Sequence, residues 1–138
     1  MQRESHFNVW EPMQRQFGYS QAVRVGDLVF VAGTASVGES FEPIHIGDFP
    51  AQLRAVYGRI GETLAHFGLD FRHVVREVMY VADMEALVAA SDLRRSFYGD
   101  GPYPAATGVE VRQLLYPELM IEVEVVAAFT LPQPGASR

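Results

Sequence analysis

Neither lysine nor cysteine occurs in the 138 residues, and all 11 basic side chains are arginine. Without lysine there is no Schiff-base nucleophile and no phosphate-loop lysine of the GxxxxGK[ST] type. Without cysteine there is no disulfide framework, zinc ribbon, iron–sulfur cluster or thiol nucleophile. Carboxylates, four histidines, hydroxyls, tyrosines and backbone amides are left to carry any chemistry.

Other absences narrow the class. The formal net charge is −6, and no cluster of basic residues is present, which argues against a duplex-binding surface or an RNA-stacking groove. No apolar run approaches membrane-spanning length, and the polar start MQRESHFNVW lacks the pattern of a signal peptide. A cytosolic protein with no nucleic-acid or membrane partner is the expectation. At 49% hydrophobic and 20% charged residues, the chain has the composition of one globular domain with a single core.

Local patterns predict the elements. In YSQAVRVGDLVFVAG (19–33) two β-rich runs flank Gly26–Asp27, a hairpin signal with the usual dipeptide order reversed. Residues 36–47 read as a loop. Asp48 stands at a helix N-cap with Pro50 just inside. Phe49, Leu53, Val56, Tyr57, Ile60, Leu64 and Phe67 then form one helical stripe that Gly68 ends. A strand is expected over 74–82, a helix over 84–97 that GDGPYP terminates, and strands over 108–114 and 120–131. Residues 1–17 show no clear periodicity and read as an N-terminal extension partly packed through Trp10 and Phe17; 132–138 (PQPGASR) reads as a flexible tail.

The order is ββαβαββ, an α+β domain over 18–131 with two helices covering one sheet face. Leu28, Phe30 and Ala32 face one way and Val29 and Val31 the other; Val78 and Tyr80 likewise oppose Val75, Met79 and Val81. A sheet with one wet face alternates more cleanly than this. The second face is therefore expected to pack on another copy of the chain; the other reading has the short polar N-terminal segment covering it.

GYSQAVRVGDLVFVAGT (18–34), LAHFGLDFRHVVREVMYVADM (64–84) and PAATGVEVRQL with MIEVEVVA (104–127) together resemble the RidA/YjgF family, long labelled endoribonuclease L-PSP-like. The resemblance implies a chorismate-mutase-like ββαβαββ fold, a homotrimer with inward-packed sheets, and ligand pockets between subunits. It also implies hydrolysis of enamines or imines to ammonia and a keto acid, with no cofactor. In such a pocket an arginine fork holds the substrate carboxylate, a glutamate handles water, backbone amides line the floor and a tyrosine closes one side. Carried over by position, Tyr19 is that tyrosine, Gly33 the glycine after the first strand pair, and Glu122 the water-handling glutamate. Thr34, Ala106 and Thr107 fall among the substrate-binding positions.

The arginine has no counterpart. Where deaminating members read PARS, this chain reads Pro104-Ala105-Ala106-Thr107, so Ala106 stands at the arginine position; Ala32 and Thr34 replace the usual serine and glutamine. A charge-assisted arginine–carboxylate contact contributes roughly 1.5–3 kcal/mol and orients its ligand. Two functions are left open: an imine-deaminase-like hydrolase acting on an atypical substrate, or a non-catalytic metabolite-binding or chaperone-like member. Arg112, six residues from Ala106 and so about 20 Å away along one strand, can substitute only from a neighbouring chain. Glu122 and Glu124 share a strand face, where paired carboxylates can act as acid and base or simply meet solvent. Tyr19, Gly33 and the two threonines each also have a purely structural reading, in packing or turns. His6, His45, His66 and His73 show no ligand spacing, so no metal is expected, and His66 is placed at the exposed edge of its helical stripe.

Overall fold

The stripe beginning after Asp48 folds as a helix of 18 residues in the computed structural model, which describes residues 2–130. The Asp48 carboxylate accepts the Ala51 amide at 3.0 Å, and Gly68, at φ +75°, turns the chain out of the helix. Leu53, Val56, Tyr57, Ile60 and Leu64 on its inner stripe are fully buried.

The helix lies on a sheet of six strands: β1 (Arg3–His6), β2 (Ala22–Val25), β3 (Leu28–Ala35), β4 (Val74–Val81), β5 (Ala105–Glu110) and β6 (Ile121–Ala128). Their order is β1-β2-β3-β6-β4-β5, antiparallel except for the parallel β4–β5 pair. The helices are α1 (Glu11–Phe17), α2 (Phe49–His66), α3 (Met84–Ala89) and α4 (Ser91–Ser96). Residues 3–17 thus supply an edge strand antiparallel to β2 and a helix of their own. The tail at 132–138 lies outside the described residues.

Several boundaries differ from expectation. The β2–β3 hairpin turns on Gly26 at φ +58°, and glycine in the first central position is the order a type II′ turn requires. The helix expected over 84–97 is two helices divided at Ala90, where the Ser91 hydroxyl donates back to the Val88 carbonyl at 2.7 Å and loosens the ladder. β5 runs from Ala105 to Glu110 rather than over 108–114, because it pairs with β4 from Arg76 onward and β4 ends at Val81, leaving nothing to pair beyond Val111.

The two sheet faces differ as the alternation implies. Val29, Val31, Met79, Val81, Ile121, Val123 and Val125 are buried with α2, α3 and α4 in one core. Leu28 (39% exposed) and Phe30 (45%) lie on the other face, uncovered by the N-terminal segment. Val75 departs from its expected side: a register shift between Val74 and Arg76 leaves it 47% exposed.

One charged group is buried in the core. Glu77, fully inaccessible, accepts the Tyr57 hydroxyl and both Nε (2.9 Å) and a terminal nitrogen of Arg94. An unpaired carboxylate here is costly, so Arg94→Met is expected to lower unfolding stability by about 3 kcal/mol in denaturant titrations. Adding Glu77→Gln to the same chain should recover much of that loss.

Candidate functional site

The site begins with one extra residue in β3. Val31 pairs with Val125 and Thr34 with Val123, so Ala32 and Gly33 oppose Glu124 alone. Such a bulge reverses the side-chain alternation beyond it. Ala35 then lies opposite Glu122, and Gly33 presses against the Glu122 side chain: a Cβ on Gly33 would come within 2.2 Å of Oε2. Glycine is therefore required to leave the carboxylate its place.

The same reversal turns Thr34 inward, correcting its expected substrate-binding role. It is 1% exposed, and its hydroxyl donates to the Ala32 carbonyl at 2.9 Å while accepting Gln21 Nε2 at 3.1 Å. Gln21 Nε2 also reaches Thr63 of α2 at 3.4 Å, and Gln14 Nε2 of α1 donates to Gln21 Oε1 at 2.8 Å. This buried amide–hydroxyl chain ties α1 to the sheet and to α2. Its satisfied polar groups give α1 one seating, since slippage would strand them without partners.

Held there, α1 forms one wall of a cavity of about 330 Å³. Trp10 at its start and Phe17 at its end contribute aromatic rings, joined by Tyr19 and Phe41. Phe41 is the hub: its ring stacks on Phe17 (5.5 Å, 7° between planes), meets Trp10 edge-on at 6.0 Å and lies 6.4 Å from Tyr19. Its backbone has φ +60°, unfavourable for a bulky residue and offset here by burial of the ring. Val37, Leu115 and Leu119 complete the walls; Ala32, Gly33, Ala35 and Glu122 make the floor.

Among the described residues lining this cavity, Glu122 alone is charged. Burial pushes its pKa above the ordinary glutamate value of 4.5, and the neighbouring Glu124 carboxylate adds to the rise. Glu124 itself accepts the Tyr80 hydroxyl at 2.6 Å. Burial also raises the Tyr19 phenol; a hydrogen bond from Gln14 opposes that rise and the Glu122 charge adds to it. A carboxylate without a partner in an apolar recess can accept a proton from water or pair with a ligand cation.

The structure thus brings Tyr19, Gly33 and Glu122 together. Ala106 and Thr107 lie apart, on exposed β5 beside Glu77 and Val78, two strands and so about 10 Å from the strand carrying Glu122. The sequence reading missed Trp10, Phe17 and Phe41. Trp10, Gln14 and Phe17 do carry a signal, the i, i+4, i+7 spacing of one helix face; Phe41, in a loop, carries none. No cluster of metal-ligating side chains occurs among the described residues, and exposed His66 stacks on His6 at 3.8 Å. No helix among them is long and apolar enough to cross a membrane.

The raised Glu122 pKa has a defined consequence for stability. Between the ordinary 4.5 and the higher folded value, the folded chain retains a proton that the unfolded chain has lost. Stability attributable to this group therefore falls as pH rises through that window. Glu122→Gln is expected to melt at a higher temperature than the parent at pH 8, and the gap should close by pH 4, as read by calorimetry across that range.

Comparison with known proteins agrees with this architecture. The Endoribonuclease L-PSP family profile matches residues 12–129. A RutC family protein of Pyrococcus abyssi is 30% identical over 109 residues, covering 79% of this chain and 84% of that one. The mouse protein named 2-iminobutanoate/2-iminopropanoate deaminase is 26% identical over 109 residues, covering 79% of each chain. A crystal structure of a Mycobacterium tuberculosis member of the YjgF/YER057c/UK114 family superposes with a TM-score of 0.78 at 32% identity, covering 92% of this chain and 99% of that one. A bulged ββαβαββ sheet carrying a glycine-seated glutamate, matched over most of its length by these proteins, belongs to the RidA/YjgF (Endoribonuclease L-PSP) family.

Proposed function

We propose that this chain is an enamine/imine hydrolase of the deaminase type whose substrate carries no essential carboxylate. The observation that carries the reading is the Glu122 carboxylate, seated against Gly33 at the floor of an apolar recess. Burial raises its pKa, which makes it a stronger base than an exposed carboxylate and suits it to moving a proton.

In the reaction, water adds to the carbon of the protonated imine, the iminium, while the C=N π pair moves to nitrogen. Glu122 takes the proton that water loses and returns it to the nitrogen of the resulting carbinolamine. The C–N bond of the protonated carbinolamine then breaks with its electrons leaving on ammonia, and the hydroxyl passes its proton to the Glu122 carboxylate as the carbonyl forms. Backbone groups at Gly33 and the Tyr19 ring bound the space in which this happens. Neither acid–base step calls for lysine, thiol or cofactor.

The working form in this proposal is a homotrimer with the cavity at a subunit boundary. Exposed Leu28 and Phe30 and the wholly exposed edge strand β5 support it, since each is placed to meet a neighbouring copy. A neighbour's Ala106 and Thr107 then border the recess, with alanine where deaminating members hold arginine. That substitution also favours a second reading, a ligand-binding member without turnover.

Ammonia release from freshly generated imines separates the two. The hydrolase reading expects acceleration with imines lacking a carboxylate and about a hundredfold loss in Glu122→Gln. Gly33→Ala is expected to stay folded, because its methyl meets the free end of a flexible side chain, yet to lose activity by displacing the carboxylate. A flat imine panel that Glu122→Gln leaves unchanged supports binding alone. Ala106→Arg is expected to raise activity on 2-imino acids. Light scattering should give three times the monomer mass; a monomer contradicts the shared cavity.

A further inference from the structure

We infer that the cavity selects a small lipophilic cation, an aromatic or branched-alkyl iminium or the ammonium that resembles it, and discriminates against carboxylates. The inference rests on the same site as the proposed hydrolysis and specifies its ligand class. Three independent features of the recess converge on it.

The first is shape and polarity. Trp10, Phe17, Tyr19 and Phe41 enclose a volume of about 330 Å³, room for one ring with a short chain. Burying such a group displaces water from aromatic surface, whereas a compact imino acid would leave most of these walls wet. Aromatic faces also attract cations.

The second is charge. Glu122 alone among the lining residues is charged, and no hydrogen bond from the described residues satisfies its carboxylate. Of the arginines near this end of the molecule, Arg59 lies over the Trp10 ring at 4.8 Å and pairs with Glu62, and Arg15 pairs with Glu11 and covers the Phe7 ring at 4.2 Å. Neither lines the cavity. Within one subunit a ligand carboxylate would therefore meet Glu122 without compensation, and the Ala106 and Thr107 that a neighbour brings in the proposed trimer carry no charge to supply it. An ammonium or iminium would instead meet a counter-charge and aromatic faces together.

The third is how the wall is built. Trp10 and Phe17 come from α1, whose seating by the Gln14–Gln21–Thr34–Thr63 chain fixes them relative to Glu122. Selectivity for the apolar part is thereby held by α1 and the charge choice by β6.

Trp10 is the single tryptophan, so its fluorescence reports occupancy directly. The protein is titrated with three ligands of matched size: protonated 2-phenylethylamine, neutral 2-phenylethanol and anionic 3-phenylpropionate. The amine is expected to bind at least about tenfold more tightly than the carboxylate, with the alcohol between. Glu122→Gln should bring amine and alcohol together, and Phe17→Ala should weaken both without changing their order. A carboxylate that binds as tightly as the amine, or an amine preference that survives Glu122→Gln, overturns the inference. Failure of the hydrolysis reading looks different: the amine order holds, yet the matching iminium is bound and not turned over.

Discussion

One extra residue in β3 organises this molecule. By placing Ala32 and Gly33 against a single residue of β6, the bulge reverses which face each later side chain meets. Gly33 then yields its space to the Glu122 carboxylate, and Thr34 turns into the interior to close the polar chain that seats α1. Without the bulge, Thr34 would point out of the core, Gln21 would lose an acceptor, and α1 would lose the anchor that brings Trp10 and Phe17 to the cavity. Floor and wall thus depend on the same local irregularity.

Two carboxylates differ in how they are compensated: Glu77 is fully inaccessible, while Glu122 is partly buried at the cavity floor. Glu77 is fully inaccessible and saturated by Tyr57 and Arg94, so its ionised form is compensated and it serves the core. Glu122 sits among apolar walls with Glu124 nearby and no cation lining the recess among the described residues; its pKa rises and its carboxylate has no partner there. Burial alone therefore does not distinguish the two; compensation by Tyr57 and Arg94 at Glu77, and its absence at Glu122, does.

Much of this was legible in the sequence, for identifiable reasons. The Asp48 cap, the α2 stripe and the Glu122–Glu124 parity obey local rules that tertiary packing leaves intact. Tyr19, Gly33 and Glu122 were placed by family resemblance, and the cavity gathers all three. Thr34 was assigned to the pocket by its position in the resemblance, and only the pairing of β3 with β6 reveals the bulge that turns it inward. Phe41 was invisible because its role depends on a left-handed backbone in an irregular loop, and α1 because seven residues give a helical stripe too little length to stand out. Ala106, by contrast, was informative as an absence: a chain with 11 arginines places none where an imino-acid deaminase holds one.

Under the proposed hydrolysis, Glu122 drives water addition in a recess with no arginine of its own, among the described residues, to hold a carboxylate. The most direct measurement is a competition in which the protein receives, in one mixture, a 2-imino acid and an imine of the same chain length with the carboxylate removed. Carbonyl products are then followed together. The carboxylate-free product is expected to form faster, and Glu122→Gln to suppress its formation. Preferential formation of the keto acid, or equal rates from the Glu122→Gln protein, would contradict the proposed hydrolysis.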